Sequence, residues 1–205
     1  MRSAGVARRA GRFLVYALIG LAAVLWGAFW LAVLLTIPLR ATGTVKTYVV
    51  RSSAMEPTMH CGRPHTGCEG AHNDRFAALT RFVDYDRGDI VVFETPPRVA
   101  RFCGVGGIFV KRIVGLPGER IQHRLLQGRD VVYVDGRKLE EPYVEADRRG
   151  FGPEKTFEVP KGQYYVLGDN RASSCDSSVW GALPREDLIG EVVLNYWPPG
   201  RISFR

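Results

Sequence analysis

From Phe13 to Leu39 the chain runs for 27 residues without a charged side chain, and Leu, Ala, Val, Phe and Trp dominate the stretch. A helix of that length extends ~40 Å at ~1.5 Å per residue, against a bilayer hydrocarbon core of ~30 Å. The segment is long enough to cross a membrane with tilt. It is also longer than the about 7–15 apolar residues at the core of a cleaved secretory signal. Arg2, Arg8, Arg9 and Arg12 precede it, and the first acidic residue is Glu56. Positive charge concentrated on the short N-terminal side predicts that this end stays in the cytoplasm and the remainder is exported. The organisation expected is a basic cytoplasmic tail over 1–12, a transmembrane helix over 13–39 and an extracytoplasmic domain over 40–205. Trp26 and Trp30 fall mid-span and read as packing residues. No later stretch approaches spanning length, so a single pass of the cell membrane is expected.

The formal net charge of +7 raises the question of a nucleic-acid partner. Five arginines and no acid lie in residues 1–40, which leaves 23 basic against 21 acidic residues beyond them. The basicity belongs mainly to the membrane-flanking tail, and no nucleic acid is expected as a partner. Beyond Arg40, β-type runs alternate with Gly/Pro punctuation: Thr44–Val50, Asp89–Glu94, Ile108–Val114, Arg120–Arg124, Val131–Val134, Tyr164–Leu167 and Leu188–Trp197. Turn signals such as Pro117-Gly118, Asp135-Gly136 and Pro160-Lys161-Gly162 separate several of them. The fold class expected is mostly β. Residues 60–88, rich in Gly, His, Cys and charge, read as an inserted loop region.

Four segments stand out in order. They are Ser52-Ser53-Ala54-Met55-Glu56-Pro57-Thr58-Met59, Arg87-Gly88-Asp89-Ile90-Val91-Val92-Phe93, Val110-Lys111-Arg112-Ile113-Val114-Gly115-Leu116-Pro117-Gly118-Glu119, and Gly168-Asp169-Asn170-Arg171 continuing to Ser174-Cys175-Asp176-Ser177 and Trp180-Gly181. Together, behind an N-terminal apolar segment, they resemble the conserved boxes of the bacterial type I signal peptidases, membrane-anchored Ser/Lys serine proteases. The resemblance spans residues 13–197 and implies a mainly antiparallel β-sheet catalytic domain of the signal-peptidase type.

The physical chemistry of the residues fits that resemblance. Serine at its own pKa is a weak nucleophile and needs an adjacent base. Lysine serves as that base when burial among apolar groups disfavours its charged form. Lys111 lies in the run Ile108-Phe109-Val110-Lys111, where strand alternation puts Phe109 and Lys111 on one face. By resemblance, Ser52 helps to stabilise an oxyanion together with the backbone N–H of residue 54, and Ser174 hydrogen-bonds and orients the lysine. Asp176 matches an acid of the same box and reads as a structural pairing partner. The arginine that usually follows Asp-Ser in the box is Ser178 here, which removes its expected ion pair. Met55 belongs to the first box as a substrate-binding or structural residue.

Position 54 is where the family carries its nucleophilic serine, and this chain has alanine. A methyl group forms no acyl-enzyme, so the chain is expected to be inactive. The retention of Lys111, Ser52 and Ser174 favours a Ser→Ala variant of an active enzyme over a natural, catalytically dead homologue that binds exported chains. Ser53 is not expected to substitute, since in an extended stretch it points to the opposite face.

Four cysteines in an exported domain suggest two disulfides. Cys61–Cys68 is the easiest pairing, and closing a loop of that size stabilises by ~2.5 kcal/mol in the chain-entropy description. Free thiols and a zinc site using the nearby His60, His65 and His72 are the alternatives. Structural zinc sites use four ligands at tight spacing, and nothing here resembles Cys-x-x-Cys, so no metal is expected. Cys103 and Cys175 remain as a second pair that would brace the loop of the fourth box.

The resemblance implies cleavage of signal peptides from exported preproteins without a cofactor. Signal peptides of secreted preproteins, membrane lipid and the secretion machinery are the implied partners. A cytosolic self-cleaving Ser/Lys repressor is argued against by the apolar segment. Protease added to intact, wall-stripped cells is expected to digest residues 45–205; full protection of that part in accessible cells overturns the topology.

Overall fold

A computed structural model of the chain describes residues 20–22, 24–31, 43–81, 83–150 and 154–205. Residues 20–22 and 24–31 are helical. Among the described residues no helix is long and apolar enough to cross a membrane. The tail over 1–12 and most of the expected span over 13–39 lie outside the described residues. The chain divides into one unit over Met1–Thr44 and another over Val45–Arg205.

The second unit is mostly β. Its strands are β1 (Val45–Val49), β2 (Arg75–Leu79), β3 (Ile90–Glu94), β4 (Ile108–Gly115), β5 (Arg120–Leu126), β6 (Arg129–Val134), β7 (Arg137–Lys138), β8 (Lys155–Glu158), β9 (Gln163–Leu167), β10 (Leu183–Pro184), β11 (Leu188–Trp197) and β12 (Ser203–Phe204). The larger sheet has the order β1-β2-β11-β3-β4-β9-β10, with β12 paired to β11. A smaller sheet has the order β7-β6-β5-β8. The pairings between these strands are antiparallel. The turn between β6 and β7 uses Asp135 and Gly136, both at positive φ (49° and 78°), as the hairpin signal in the sequence requires.

Among the described residues three apolar clusters form the core. One gathers Val50, Met55, Met59, Phe76, Val92 and Val192 around the first box. A second packs Phe93, Val99, Ile113, Val166, Trp180 and Leu183. The third, around Ile121, Val132, Val159 and Tyr165, lies where the smaller sheet meets β9. Two short helices interrupt the strand pattern: α1 (Pro97–Cys103), with proline at its first turn and Gly104 closing it at φ 70°, and α2 (Ser177–Trp180).

The expected insertion over 60–88 is not loop throughout. Arg75–Leu79 forms β2, paired on one side with β1 and on the other with β11. Its Phe-Ala-Ala-Leu core offers little intrinsic β preference, and pairing with two neighbours decides the conformation. What precedes it is an excursion from β1 to β2 whose neck is closed by the Val50 N–H donating to the Asp74 carbonyl at 2.9 Å. The first box lies within that excursion.

Strand β11 joins the two parts of the larger sheet, one containing β1 and β2 and the other β3 and β4. Close approach there depends on Gly190: a Cβ would stand 2.9 Å from the Leu79 carbonyl carbon and 3.2 Å from Thr80 Cα. Both are backbone atoms of the neighbouring chain segment and cannot rotate away. Gly190→Ala is expected to destabilise the fold by about 1–3 kcal/mol in urea unfolding, as overpacking does. An unchanged midpoint refutes this reading of the β2–β11 contact.

Candidate active site

The first box does not continue β1 as an extended strand. Ser53–Met55 form a single 3-10 turn, entered from Ser52 in an extended conformation (φ −138°, ψ 156°). The premise that Ser53 alternates with residue 54 along a strand is therefore corrected. Ser53 is buried, with its Oγ 3.3 Å from Ser173 Oγ. Met55 is also buried and packs in the first core cluster. Ser52 is exposed, and its side chain makes no capping bond to the turn.

A cleft of about 650 Å³ opens beside this turn. Ser52, Ala54 and Lys111 line it, together with Phe76, Val92, Phe109, Ser173 and Cys175. Two distant sequence boxes thus meet in one cavity with a largely apolar wall. Lys111 lies on β4, opposite Val91 of β3, and is only 4 % exposed. Its Nζ is 5.6 Å from the centre of the Phe109 ring, the floor that strand alternation suggests. Burial lowers its pKa to about 8, against the opposing pull of Asp176 and Asp169, which favour the ammonium. About a tenth of the amine is then neutral at pH 7, against well under a thousandth for an ordinary lysine.

Residues 168–170 hold the turn in place. The Asn170 N–H donates to the Ala54 carbonyl at 3.0 Å, and Asn170 Nδ2 donates to the Ser53 carbonyl at 3.1 Å. Asp169, fully buried, accepts from Arg112 Nε at 2.9 Å and from Nη2 at 2.6 Å. Arg112 Nη1 also donates to the Gly88 carbonyl at 2.8 Å, and the guanidinium stacks 4.0 Å above the Tyr143 ring. Glycine is required at 168 because a Cβ there would stand 2.5 Å from the Ala54 carbonyl oxygen and overlap the side chain of Ser174. Arg112, Gly168, Asp169 and Asn170 have no assigned role in the sequence reading. The signal was present in their membership of the third and fourth boxes, Arg112 directly after Lys111 and the other three opening the fourth.

Ser174 and Asp176 are placed differently from one another. Ser174 borders a second, smaller cavity, shared with His123, Asp130, Arg171 and Asp176. Its Oγ is buried and makes no hydrogen bond among the described residues, so the expected bond to Lys111 is not formed here. Asp176 caps α2, accepting from the Ser178 N–H at 3.1 Å and from Ser178 Oγ at 2.7 Å. Its other oxygen accepts from the Gly168 N–H at 3.0 Å. Ser178 therefore fills, with a hydroxyl, the partnership that an arginine was expected to make. All four cysteines are paired: Cys61 with Cys68, their Cα atoms 4.9 Å apart, and Cys103 with Cys175, 5.9 Å apart.

Comparison with known proteins places this arrangement. Residues 23–197 match the family described as signal peptidase, peptidase S26. The chain is 39 % identical over 176 residues to a probable signal peptidase I-2 of Synechocystis sp., covering 84 % of this chain and 72 % of that protein. It is 41 % identical over 119 residues to a signal peptidase I of Leptolyngbya laminosa, covering 57 % of this chain and 55 % of that protein. A signal peptidase I of Bacillus caldolyticus is 31 % identical over 175 residues, covering 77 % of this chain and 82 % of that protein. The chain belongs to the signal peptidase family, a family of serine endopeptidases.

The depressed pKa of Lys111 has a measurable effect on stability. Between about 8 and the unperturbed lysine value of 10.5, the unfolded chain binds the proton and the folded chain does not. Stability contributed by this group therefore rises with pH across that window, and its burial costs most below it. Lys111→Met is expected to stabilise the protein at pH 7 by on the order of 3 kcal/mol, from a shift of about 2.5 units at ~1.4 kcal/mol each. The gain should shrink as pH rises from 8 towards 10.5. A Tm difference independent of pH refutes the assignment.

Proposed function

We propose that the protein is a type I signal peptidase whose nucleophile position is occupied by alanine. With serine at 54, the enzyme removes N-terminal signal peptides from exported preproteins by a Ser/Lys dyad. The observation that carries this reading is the shared cleft, in which position 54 and a buried Lys111 with a pKa of about 8 face the same cavity. The similarity to signal peptidases supports preproteins as the substrate class.

In the mechanism proposed, the serine hydroxyl at position 54 attacks the scissile carbonyl and its proton passes to Lys111 Nζ. The carbonyl oxygen becomes an oxyanion, met by the backbone N–H of residue 54 and by the Ser52 hydroxyl, which makes no cap bond. Collapse breaks the peptide bond, and the departing amine takes the proton held by Lys111. A water molecule, deprotonated by the neutral lysine, then attacks the ester and releases the signal peptide while restoring the serine. Ser174 is a positioning residue in this scheme: among the described residues its buried hydroxyl has no hydrogen-bond partner, and it lies beside the same glycine as the Ala54 carbonyl. No cofactor enters these steps.

The membrane anchor over 13–39, with a cytoplasmic N-terminus and an extracytoplasmic peptidase domain, is part of the proposal. It is supported by the uncharged run and by the exposure of apolar helical residues such as Leu21, Val24, Leu25 and Trp26. Membrane lipid and the secretion machinery follow as partners. Alanine at 54 also favours a second reading, a natural homologue that binds exported chains without cutting them. The codon for residue 54 in the native gene separates the two.

The dyad is tested by restoring the nucleophile. The chain as given is expected to bind a signal peptide with small residues at the first and third positions before the cut, without cleaving it above background. Ala54→Ser is expected to restore cleavage, because returning the missing member of a catalytic unit recovers most of the rate. Adding Lys111→Ala should abolish it, and Lys111→Arg should fail to rescue, since guanidinium stays protonated. An inactive Ala54→Ser protein that folds and binds peptide sinks the mechanism.

A further inference from the structure

We infer that Glu56, His60 and Glu69 form a binding site for a divalent transition-metal ion of the zinc class. Their donor atoms all lie within 4.8 Å of one another. Glu56 is fully buried, and His60 Nδ1, four residues on, is hydrogen-bonded to its Oε2. Glu56 Oε1 accepts from the Cys61 N–H at 3.0 Å and from the Glu69 N–H at 3.1 Å. Among the described residues Glu56 has no lysine or arginine partner. Among the described residues the buried carboxylate is met by the His60 ring and by two backbone N–H groups. A buried carboxylate needs a cationic or strongly polar partner, and a divalent metal ion held by the neighbouring donors is such a partner.

The backbone preorganises the three donors. His60 and Glu69 lie immediately outside the two cysteines of the Cys61–Cys68 disulfide, which draws them together. The Gly70 N–H donates to the Cys61 carbonyl at 3.1 Å and the Arg63 N–H to the Gly70 carbonyl at 2.9 Å, closing the same neck. The His60 N–H donates to Asp74 Oδ2 at 2.9 Å. Glu69 is paired through Oε1 with Arg148, which orients its carboxylate. The sulfurs are committed to the disulfide, so the donor set is one imidazole nitrogen and two carboxylate oxygens. That set suits zinc and its neighbours better than calcium or magnesium, which call for more oxygen ligands.

Binding replaces the proton between His60 Nδ1 and Glu56 Oε2 with the metal, and the proton leaves to solvent. The ion then ties down the segment that begins two residues after Ala54. The expectation of no metal rested on cysteine and histidine spacing and did not consider Glu56 and Glu69, which the disulfide brings beside His60.

The test uses the tag-free chain with both disulfides formed, treated with chelator and dialysed. Titration with zinc chloride by calorimetry, and with cobalt chloride by visible absorption, is expected to give one saturable site and a rise in Tm. Glu69→Gln changes a partly exposed side chain and should leave the fold intact while weakening binding by at least ~10-fold. His60→Gln should do the same or more, and His65→Gln and His72→Gln should leave it unchanged. No saturable uptake, or uptake insensitive to the His60 and Glu69 variants, overturns the site. These readouts do not use peptide cleavage, so their failure is separable from failure of the Ser/Lys mechanism.

Discussion

The buried ion pair between Arg112 and Asp169 is the constraint on which the rest of the site depends. Both oxygens of the carboxylate are engaged by one guanidinium, a geometry in which two parallel bonds set orientation as well as distance. Arg112 follows Lys111 directly on β4, and Asp169 precedes Asn170, whose amides hold the carbonyls of residues 53 and 54. The pair therefore transmits the position of one wall of the cleft to the other through a single residue on each side. Removing one partner of such a pair leaves an uncompensated buried charge, typically a cost of about 3–5 kcal/mol. Here the loss would also release the turn that carries position 54.

Electrostatics around the lysine are a balance rather than a single effect. Desolvation by the cleft wall is the larger influence and favours the neutral amine; Asp176 and Asp169 oppose it. Neither acid is free to act as a simple counter-ion. Asp169 is committed to Arg112, and Asp176 to the N–H groups of Ser178 and Gly168 and to the Ser178 hydroxyl. Their remaining field keeps the amine from being pushed further down. An arginine at position 178, as in the family box, would add positive charge close to Asp176; the serine found here satisfies the carboxylate without it.

Much of this was legible in the sequence, for identifiable reasons. Strands rich in valine and isoleucine, such as Ile90–Glu94 and Leu188–Trp197, announced themselves because side-chain branching and pairing demand coincide. The Lys111 and Phe109 relationship followed from strand alternation. Arg75–Leu79 did not announce itself, because two alanines carry no strand signal and only β1 and β11 make the segment a strand. The turn at Ser53–Met55 was equally hidden. Its conformation answers to hydrogen bonds from Asn170, more than a hundred residues away, and no local propensity encodes that. The cleft residues contributed by the stretch around Val105–Ile108 were likewise beyond a reading confined to motifs.

The position of β11 bears on when the molecule acquires a cleft during its own synthesis. Residues 188–197 are made late, yet they lie between β2 and β3 in the middle of the larger sheet. Until they arrive, the hairpin of β1 and β2 and the hairpin of β3 and β4 have no strand to join them. Pairings between residues so far apart in sequence are slow to form, because the chain loses entropy before the contacts repay it. A chain emerging from its N-terminus would thus carry position 54 and Lys111 as separate, unassembled elements for most of its length. Assembly of the cleft becomes a late event of folding, completed only when β11 has paired with both β2 and β3.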